Sequence, residues 1–136
     1  MALYSGNEGK FLPTDQAGQL TDTYRQRKRD VGISEAECVT SEFFGIHNLR
    51  KLLAQPGCVG IRVAHAKRRE DALGNPTTDG SGRLIPRVVL IGVDADGNEL
   101  DLVGQDMAGL KDMPDGSGGS QLADGPICPP SCKSST

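Results

Sequence analysis

The segment LIPRVVLIGVDADGNELDLV, residues 84–103, decides the fold of this chain. Its residues 88–93 are apolar at every position but one, which is typical of a strand covered on both faces. Residues 96–98, Asp-Gly-Asn, then give a turn signal, after which Leu100 and Leu102 alternate with polar residues. The segment therefore predicts two antiparallel strands joined by a tight turn.

A second strand is predicted upstream, in CVGIRVAHAKR at residues 58–68. Its apolar residues Val59, Ile61 and Val63 alternate with Gly, Arg and Ala, which is typical of a half-buried strand. Residues 69–83, between the two strand signals, are rich in Gly, Asn, Asp and Pro, so we expect an exposed loop there.

Two helices are predicted ahead of these strands. The first places Ala17, Leu20 and Tyr24 on one face, at the spacing of a helical repeat. The second lies in GIHNLRKLLAQPG at residues 45–57, where the apolar side chains form a stripe and Pro and Gly end the helix. A capping box, SEAE at residues 34–37, indicates a short third helix or turn between them.

The composition limits the chain to one small domain with tails. Only 36% of its 136 residues are hydrophobic and none is Trp, while 18 are Gly and 8 are Pro. Such a chain can build a modest core between many turns. We predict an α+β fold with two to three helices packed on a small, mainly antiparallel sheet. Residues 1–12 are then an extended N-terminal arm, residues 13–106 the single domain, and residues 107–136 a tail rich in Gly, Ser and Pro.

Charge and hydropathy argue against several classes of protein. The net charge of −3 argues against a general nucleic-acid binder, which is usually basic. No apolar run approaches the roughly 20 residues of a membrane-spanning helix, so no membrane span is expected. The first residues, MALYSGNEGK, lack the apolar core of a signal peptide, which predicts a cytoplasmic protein. Leaderless export or assembly at the cell surface stays open as an alternative.

Two cysteines near the C-terminus, Cys128 and Cys132, flank the residues Pro-Pro-Ser in GPICPPSCKSST. A Pro-Pro pair favours an extended segment that holds the two thiols apart, although a turn could bring them together. Three arrangements are considered: a disulfide between these two cysteines, a disulfide to one of the other two, and a zinc site. Anchoring of the tail, by a disulfide or by packing, is favoured. The residues assigned to this anchoring or docking are Cys38, Cys58, Cys128, Cys132, Pro129 and Pro130.

Zinc is the weaker alternative because the chain offers few soft ligands. Zinc needs about four ligands, and the available set is Cys58, Cys128, Cys132 and His65. His65 follows Cys58 in the predicted strand and is expected on its opposite face. The C-terminal pair is also unlike a thioredoxin motif, in which two residues separate the thiols at a helix N-terminus. We therefore predict no metal and no cofactor, and keep thiol redox chemistry as an alternative.

No catalytic site is predicted. His47 could pair with a cysteine as base and nucleophile, but no third member or nucleophile elbow is recognisable. The acidic turn at residues 94–98 has the Asp-x-Asp-x-Asn spacing of a calcium loop, but its Gly comes one residue early and Gln105 stands at the closing position. A plain hairpin turn is therefore the preferred interpretation.

Basic residues end the first predicted helix, in the run RQRKRD at residues 25–30. Cations suit a helix C-terminus because the helix dipole is negative there. The alternative is a face that binds another protein or an anionic partner through Arg25, Arg27, Lys28 and Arg29.

Three segments together resemble a known family. They are FFGIHNLRKLLAQPGCVGIRV at residues 43–63, VVLIGVDADGNEL at residues 88–100 and CPPSC at residues 128–132. The set is similar to a family of small uncharacterised proteins found mainly in Bacteroidetes and related bacteria, which share a Gln-Pro-Gly-Cys-Val-Gly-Ile-Arg-like segment and a C-terminal Cys-Pro-Pro-x-Cys. This resemblance implies no established activity and brings no catalytic residues.

These observations favour a non-enzymatic structural protein that assembles with itself. A small sheet has edge strands that need cover or a partner, and self-assembly into a homo-oligomer or filament supplies one. In this hypothesis the two termini dock on neighbouring subunits. Two alternatives stay open: a small adaptor that binds another protein, and a thiol redox or zinc-binding protein that uses the C-terminal cysteines.

Overall fold

The computed structural model describes residues 2–35, 37–101 and 119–132 of the chain. These residues form a small α+β fold with helices and mainly antiparallel strand pairs, as the sequence predicts. In chain order the elements are α1 (Thr14–Asp30), β1 (Ser41–Glu42), α2 (Ile46–Leu53), β2 (Cys58–Glu70), β3 (Arg83–Asp94) and β4 (Ile127–Cys128).

Two compact units make up the chain. The first contains residues 1–8 and 44–124, and with them α2, β2 and β3. The second contains residues 9–43 and 125–136, and with them α1, β1 and β4. The predicted tail boundary at residue 107 lies outside the described residues. Each unit therefore combines one described helix with one pair of antiparallel strands.

The first unit is built on a long antiparallel hairpin of β2 and β3. Pairing runs from Gly60 opposite Val93 to Glu70 opposite Arg83, with an irregularity at the start of β2. The alternating pattern of β2 and the apolar run of β3 both predict strands, and both strands are present. The hairpin therefore supplies the framework on which the rest of this unit is placed.

β3 has partners on both of its edges. The sequence predicts pairing with the residues after the turn, and β3 also pairs over its whole length with β2, which the sequence does not predict. After the turn a single bridge forms between Val93 and Glu99, next to a hydrogen bond of 2.8 Å from the Leu100 N–H to the Gly92 carbonyl. Leu102 lies outside the described residues. The Gly92 carbonyl points away from β2, so the return pairs on the other edge of β3 and, within the described residues, extends to Leu100.

The loop between β2 and β3 is shaped by aspartate side chains. The Asp71 carboxylate accepts the N–H groups of Leu73 and Asn75 at 2.8 and 3.0 Å. Such turns satisfy exposed backbone donors without a partner strand. The exposed loop predicted for residues 69–83 is found over residues 71–82, and the residues at both ends of the predicted range extend the strands.

The helix of the second unit, α1, contains no buried side chain. On its predicted apolar stripe Leu20 is 64% exposed and Tyr24 is 43% exposed. The capping box that follows forms a turn, in which the Glu37 N–H donates to the Ser34 carbonyl at 3.0 Å. The stripe thus predicts the helix correctly, although its apolar side chains stay exposed.

Burial of apolar side chains is concentrated on β3. The buried apolar residues among those described are Cys38, Leu52, Ile85, Leu90, Ile91 and Val93. On α2, Ile46 and Leu53 belong to the predicted apolar stripe but are 55% and 52% exposed. The core is therefore as small as the composition suggests, and it leaves large apolar side chains at the surface.

A close approach at Gly92 brings α2 onto β3. A Cβ atom at this position would overlap the side-chain amide of Gln55 and lie 3.3 Å from the Leu52 carbonyl oxygen. The Gln55 amide is itself buried and donates to that carbonyl at 2.9 Å. A side chain here would have to displace the Gln55 amide from this buried hydrogen bond.

We expect Gly92→Ala to lower the free energy of unfolding by about 1–3 kcal/mol, because the added methyl group must displace packed groups. Gly60→Ala is the matched control on β2, since no atom lies within 4 Å of its added Cβ. The control should change stability by less than about 1 kcal/mol. Urea denaturation of both variants measures this difference, and equal losses would contradict the close approach at Gly92.

Candidate functional site

A disulfide joins Cys128 to Cys132, whose Cα atoms lie 4.8 Å apart. This is the first of the three arrangements considered for these cysteines. Cys38, which is buried, and Cys58, which is half-buried, carry free thiols. The tail is therefore not pinned to either of them through a disulfide.

Pro129 and Pro130 lie in a turn between the two joined cysteines. The peptide bond that precedes each of these prolines is cis. The Ser131 N–H donates to the Ile127 carbonyl at 2.8 Å across the turn. The extended segment expected from the Pro-Pro pair is thus replaced by a compact turn.

Backbone pairing holds this turn within the second unit. The two residues of β4 pair antiparallel with β1. The Thr40 N–H donates to the Cys128 carbonyl at 2.8 Å, and the Phe43 N–H donates to the Pro126 carbonyl at 2.8 Å. The chain also approaches closely at Gly125, where a Cβ would overlap the Phe43 carbonyl. The tail is anchored by main-chain hydrogen bonds, and the disulfide closes the turn beside them.

The residues of the weak zinc set are not arranged as a metal site. The Cys58 thiol donates to the Gly60 carbonyl at 3.3 Å, and His65 is exposed on the same strand. The sulfurs of Cys128 and Cys132 form the disulfide, which supplies no thiolate ligand. Within the described part of the chain, no group of three or more His, Cys, Asp or Glu side chains could hold a metal ion.

The predicted interaction face lies near the C-terminal end of α1 and consists of Arg25, Arg27, Lys28 and Arg29. Arg25 pairs with Asp22 at 2.9 Å, and Arg29 pairs with Glu35 at 3.4 Å. Ion pairs between such exposed side chains contribute little to stability. Binding of a partner by this face stays a prediction.

The acidic turn after β3 is organised by Asp94. Its carboxylate accepts the N–H groups of Asn98 at 2.8 Å and Asp96 at 3.0 Å. The hydrogen bond from the Asn98 backbone is the largest cause that lowers the pKa of Asp94 below its ordinary value. The carboxylate therefore shapes a hairpin turn, as preferred from the sequence. His47, the other candidate, is exposed on α2.

A buried ion pair that sequence reasoning missed lies at the far end of the hairpin. Glu70 is only 2% exposed, and the Arg87 guanidinium donates to both of its carboxylate oxygens at 2.8 Å. Arg68 donates to the same carboxylate at 3.0 Å. The hydrogen bonds from Arg87 hold the pKa of Glu70 below its ordinary value, and they outweigh the opposing effect of burial.

This cluster links three parts of the first unit. Arg68 also forms an ion pair with Asp124, which lies beyond the described turn after β3. The sequence offered one signal, because Arg68 and Glu70 are two residues apart and so share a face of a strand. The turn-forming residues that follow nevertheless predict that Glu70 lies in the exposed loop.

We expect Glu70→Gln to lower the free energy of unfolding by about 1.5–3 kcal/mol at pH 7, because the arginines lose charge-assisted hydrogen bonds to a buried carboxylate. The folded-state pKa of Glu70 is depressed, so its stabilisation is present above the unfolded-state pKa, near 4.5, and is lost as the pH falls through the folded-state value. Urea denaturation between pH 7 and about pH 3 should therefore show the wild type approaching the variant in acid.

Glu35→Gln is the control for this experiment. Glu35 forms the exposed pair with Arg29, and its side chain is 84% exposed. Its replacement should change the free energy of unfolding by less than about 0.5 kcal/mol. A Glu70→Gln variant as stable as this control would show that the buried pair contributes no net stabilisation.

The N-terminal residues dock on the hairpin of their own unit. The N–H groups of Leu3 and Tyr4 donate to the Ala95 carbonyl at 2.7 and 2.9 Å. The Tyr4 hydroxyl accepts a hydrogen bond of 3.4 Å from Arg62 on β2. Tyr4, Gly6 and Glu8 line a groove of about 290 Å³ together with residues at the start of β2, among them Ile61 and Arg62.

The direction of the main-chain groups on β2 follows from the ladder. The N–H and carbonyl of Leu90 exchange hydrogen bonds of 2.8 and 2.9 Å with Leu122, so they point away from β2. In an antiparallel pair, the N–H and carbonyl groups of two opposite residues either all point toward the partner strand or all point away from it. Val63 lies opposite Leu90, so its N–H and carbonyl point away from β3.

Because this direction alternates along a strand, four residues form an outward-facing series, namely Ile61, Val63, His65 and Lys67. The next outward residue, Arg69, is already engaged, since its carbonyl accepts the Thr77 N–H at 3.0 Å. Among the described residues, no strand pairs with the four. We call them the outer edge of β2, and this edge is the candidate site for binding another chain through main-chain hydrogen bonds.

No protein-family model, curated protein or solved structure matches the chain. The resemblance of its sequence to the small bacterial proteins therefore stays a prediction. In the part of the chain that the structure describes, no helix is both long enough and apolar enough to cross a membrane.

Proposed function

We propose that this protein is a non-enzymatic structural protein that assembles with itself into a homo-oligomer. The observation that carries the proposal is the outer edge of β2, where four consecutive outward residues have no partner strand among the described residues. An edge strand of this kind is a template for main-chain pairing with another chain.

The surface around this edge supports the proposal. Val63 on β2 and Leu84 on β3 are 54% and 53% exposed, and their side chains share one face of the hairpin. Ile46 and Leu53 of α2 add further exposed apolar area in the same unit. Burial of such side chains between subunits would stabilise an assembly by roughly 25 cal/mol for each Å² removed from water.

The role of the termini is a separate part of the proposal. Leu3 and Tyr4 bind the turn of their own unit, and β4 pairs with β1. Assembly through the outer edge of β2 leaves these contacts in place. Docking of the termini on neighbouring subunits, and extension of the oligomer into a filament, stay predictions.

His65→Pro tests whether the assembly uses this edge. Proline removes the His65 N–H, which points away from β3, and therefore leaves the hydrogen bonds between β2 and β3 intact. We expect the dissociation constant of the oligomer to rise by at least about tenfold, measured by native mass spectrometry and sedimentation over a dilution series.

His65→Ala is the matched control, because it removes the same exposed side chain and keeps the N–H. It should associate like the wild type. A wild type that is monomeric at every concentration would overturn the proposed function. Equal association of the two variants would show that the oligomer does not use this edge.

A thiol redox protein is the second candidate, because Cys128 and Cys132 form a disulfide and Cys132 is exposed. The two functions differ in the reduction potential of this pair. A disulfide that only closes a turn should have a potential below about −300 mV, whereas redox-active pairs lie between about −270 and −120 mV. Equilibration of the protein with dithiol buffers, followed by alkylation and mass measurement, gives the potential: a value in the higher range supports the redox candidate, and a value below it supports a purely structural disulfide.

A further inference from the structure

We propose that two copies of the chain pair through the outer edges of β2, antiparallel and about a twofold axis at Ala64, and so form a continuous four-stranded sheet. This inference rests on the proposed self-assembly and adds the partner, the surface and the register. A twofold interface uses the same patch on both copies, so one strand edge must complement itself.

The register follows from which main-chain groups are available. The outer edge begins at Ile61 and ends at Lys67, because the Arg69 carbonyl is already bound by Thr77. An axis at Ala64, the midpoint, places Ile61 opposite Lys67 of the second copy and Val63 opposite His65. All four outward residues then pair in both copies, whereas an axis displaced in either direction leaves some of them without a partner.

Charge also favours this register. The axis at Ala64 places Arg62 opposite Ala66 of the second copy and Arg68 opposite Gly60, so no two like charges face each other. An axis at Arg62 would set two arginines directly opposite, and an axis at Lys67 would do the same with two lysines. Like charges in directly opposite positions destabilise an antiparallel pair.

The two ends of the edge differ in charge. Ile61 lines the groove together with Glu8 and Arg62, and the Arg62 guanidinium is already paired with Glu99 at 3.2 Å. Lys67, Arg68 and Arg69 lie at the other end of β2. The Glu8 carboxylate accepts the N–H groups of Ser5 and Gly6 at 2.8 and 2.9 Å. The bond from the Ser5 backbone is the largest cause that lowers the pKa of Glu8. Antiparallel pairing therefore brings Lys67 of each copy to the end of β2 where Glu8 lies in the other.

The small side chain at the axis suits a close contact. The N–H and carbonyl of Ala64 point toward β3, so they do not bond to the second copy. The Ala64 residues of the two copies would therefore form a non-hydrogen-bonded pair, with their Cα atoms about 4.5 Å apart. This distance lies within the range of about 4.4–6.8 Å that a disulfide bridges. The Cα atoms of Ala66 in the two copies would instead be separated by four residues along the strands, or about 13 Å.

Cysteine trapping tests this geometry in the full chain. Cys38→Ser and Cys58→Ser remove the two free thiols, and Ala64→Cys is then compared with Ala66→Cys. The two alanines are matched, since both are half-buried and lie on the same face of β2. Mild oxidation should convert most of the Ala64→Cys chains to disulfide-linked dimers and leave Ala66→Cys at least about tenfold less cross-linked.

Lys67→Glu, made in the otherwise unchanged chain, gives an independent readout. It should raise the dissociation constant of the dimer about tenfold, because it sets a negative charge beside Glu8 of the other copy. Lys10→Glu is the control at an exposed lysine outside β2, and it should leave the constant unchanged. Circular dichroism confirms that each variant keeps the wild-type fold.

The outcomes separate this inference from the proposed function. Cross-linking of Ala64→Cys alone, with weaker association of Lys67→Glu, supports the pairing at Ala64. An oligomer in which both cysteines cross-link equally, or neither does, overturns the inference while self-assembly stands. A wild-type chain that stays monomeric overturns both.

Discussion

A two-stranded antiparallel ladder satisfies only half of the main-chain groups of each strand, and most of this account depends on that constraint. On β3 two of the outward residues have partners within the chain, because Leu90 pairs with Leu122 and the Gly92 carbonyl accepts the Leu100 N–H. On β2 the described residues provide no equivalent for the outer edge. The proposal of self-assembly therefore follows from backbone geometry and requires no catalytic or metal-binding side chain.

The buried cluster around Glu70 lies where this edge ends. Arg87 holds the Glu70 carboxylate at the last pair of the ladder, next to the point where the Arg69 carbonyl accepts the Thr77 N–H. The chain returns so closely here that a Cβ at Gly82 would overlap the Glu70 carbonyl. Electrostatics and turn geometry thus close one end of β2 and leave four outward residues before it.

Patterns within one element were predictable from the sequence, whereas contacts between elements were not. Alternation predicted β2, and the apolar run predicted β3, including the buried residues Leu90 and Ile91. The pairing of β3 with β2 was not predicted, because a turn signal indicates the partner next along the chain and says nothing of the partner on the other edge. The cluster at Glu70 was missed for a related reason, since the burial of a charged residue depends on a partner, Arg87, on another strand.

Hydrogen exchange of individual β2 amides, followed by NMR at a low and a high protein concentration, tests the central claim most directly. The account predicts that the amides of Arg62, Ala64 and Ala66 are protected at both concentrations, because they bond to β3. Those of Val63 and His65 should exchange quickly in dilute solution and become protected as the protein associates. Protection of Val63 and His65 that does not change with concentration, or that is absent from a fully formed oligomer, would contradict the account.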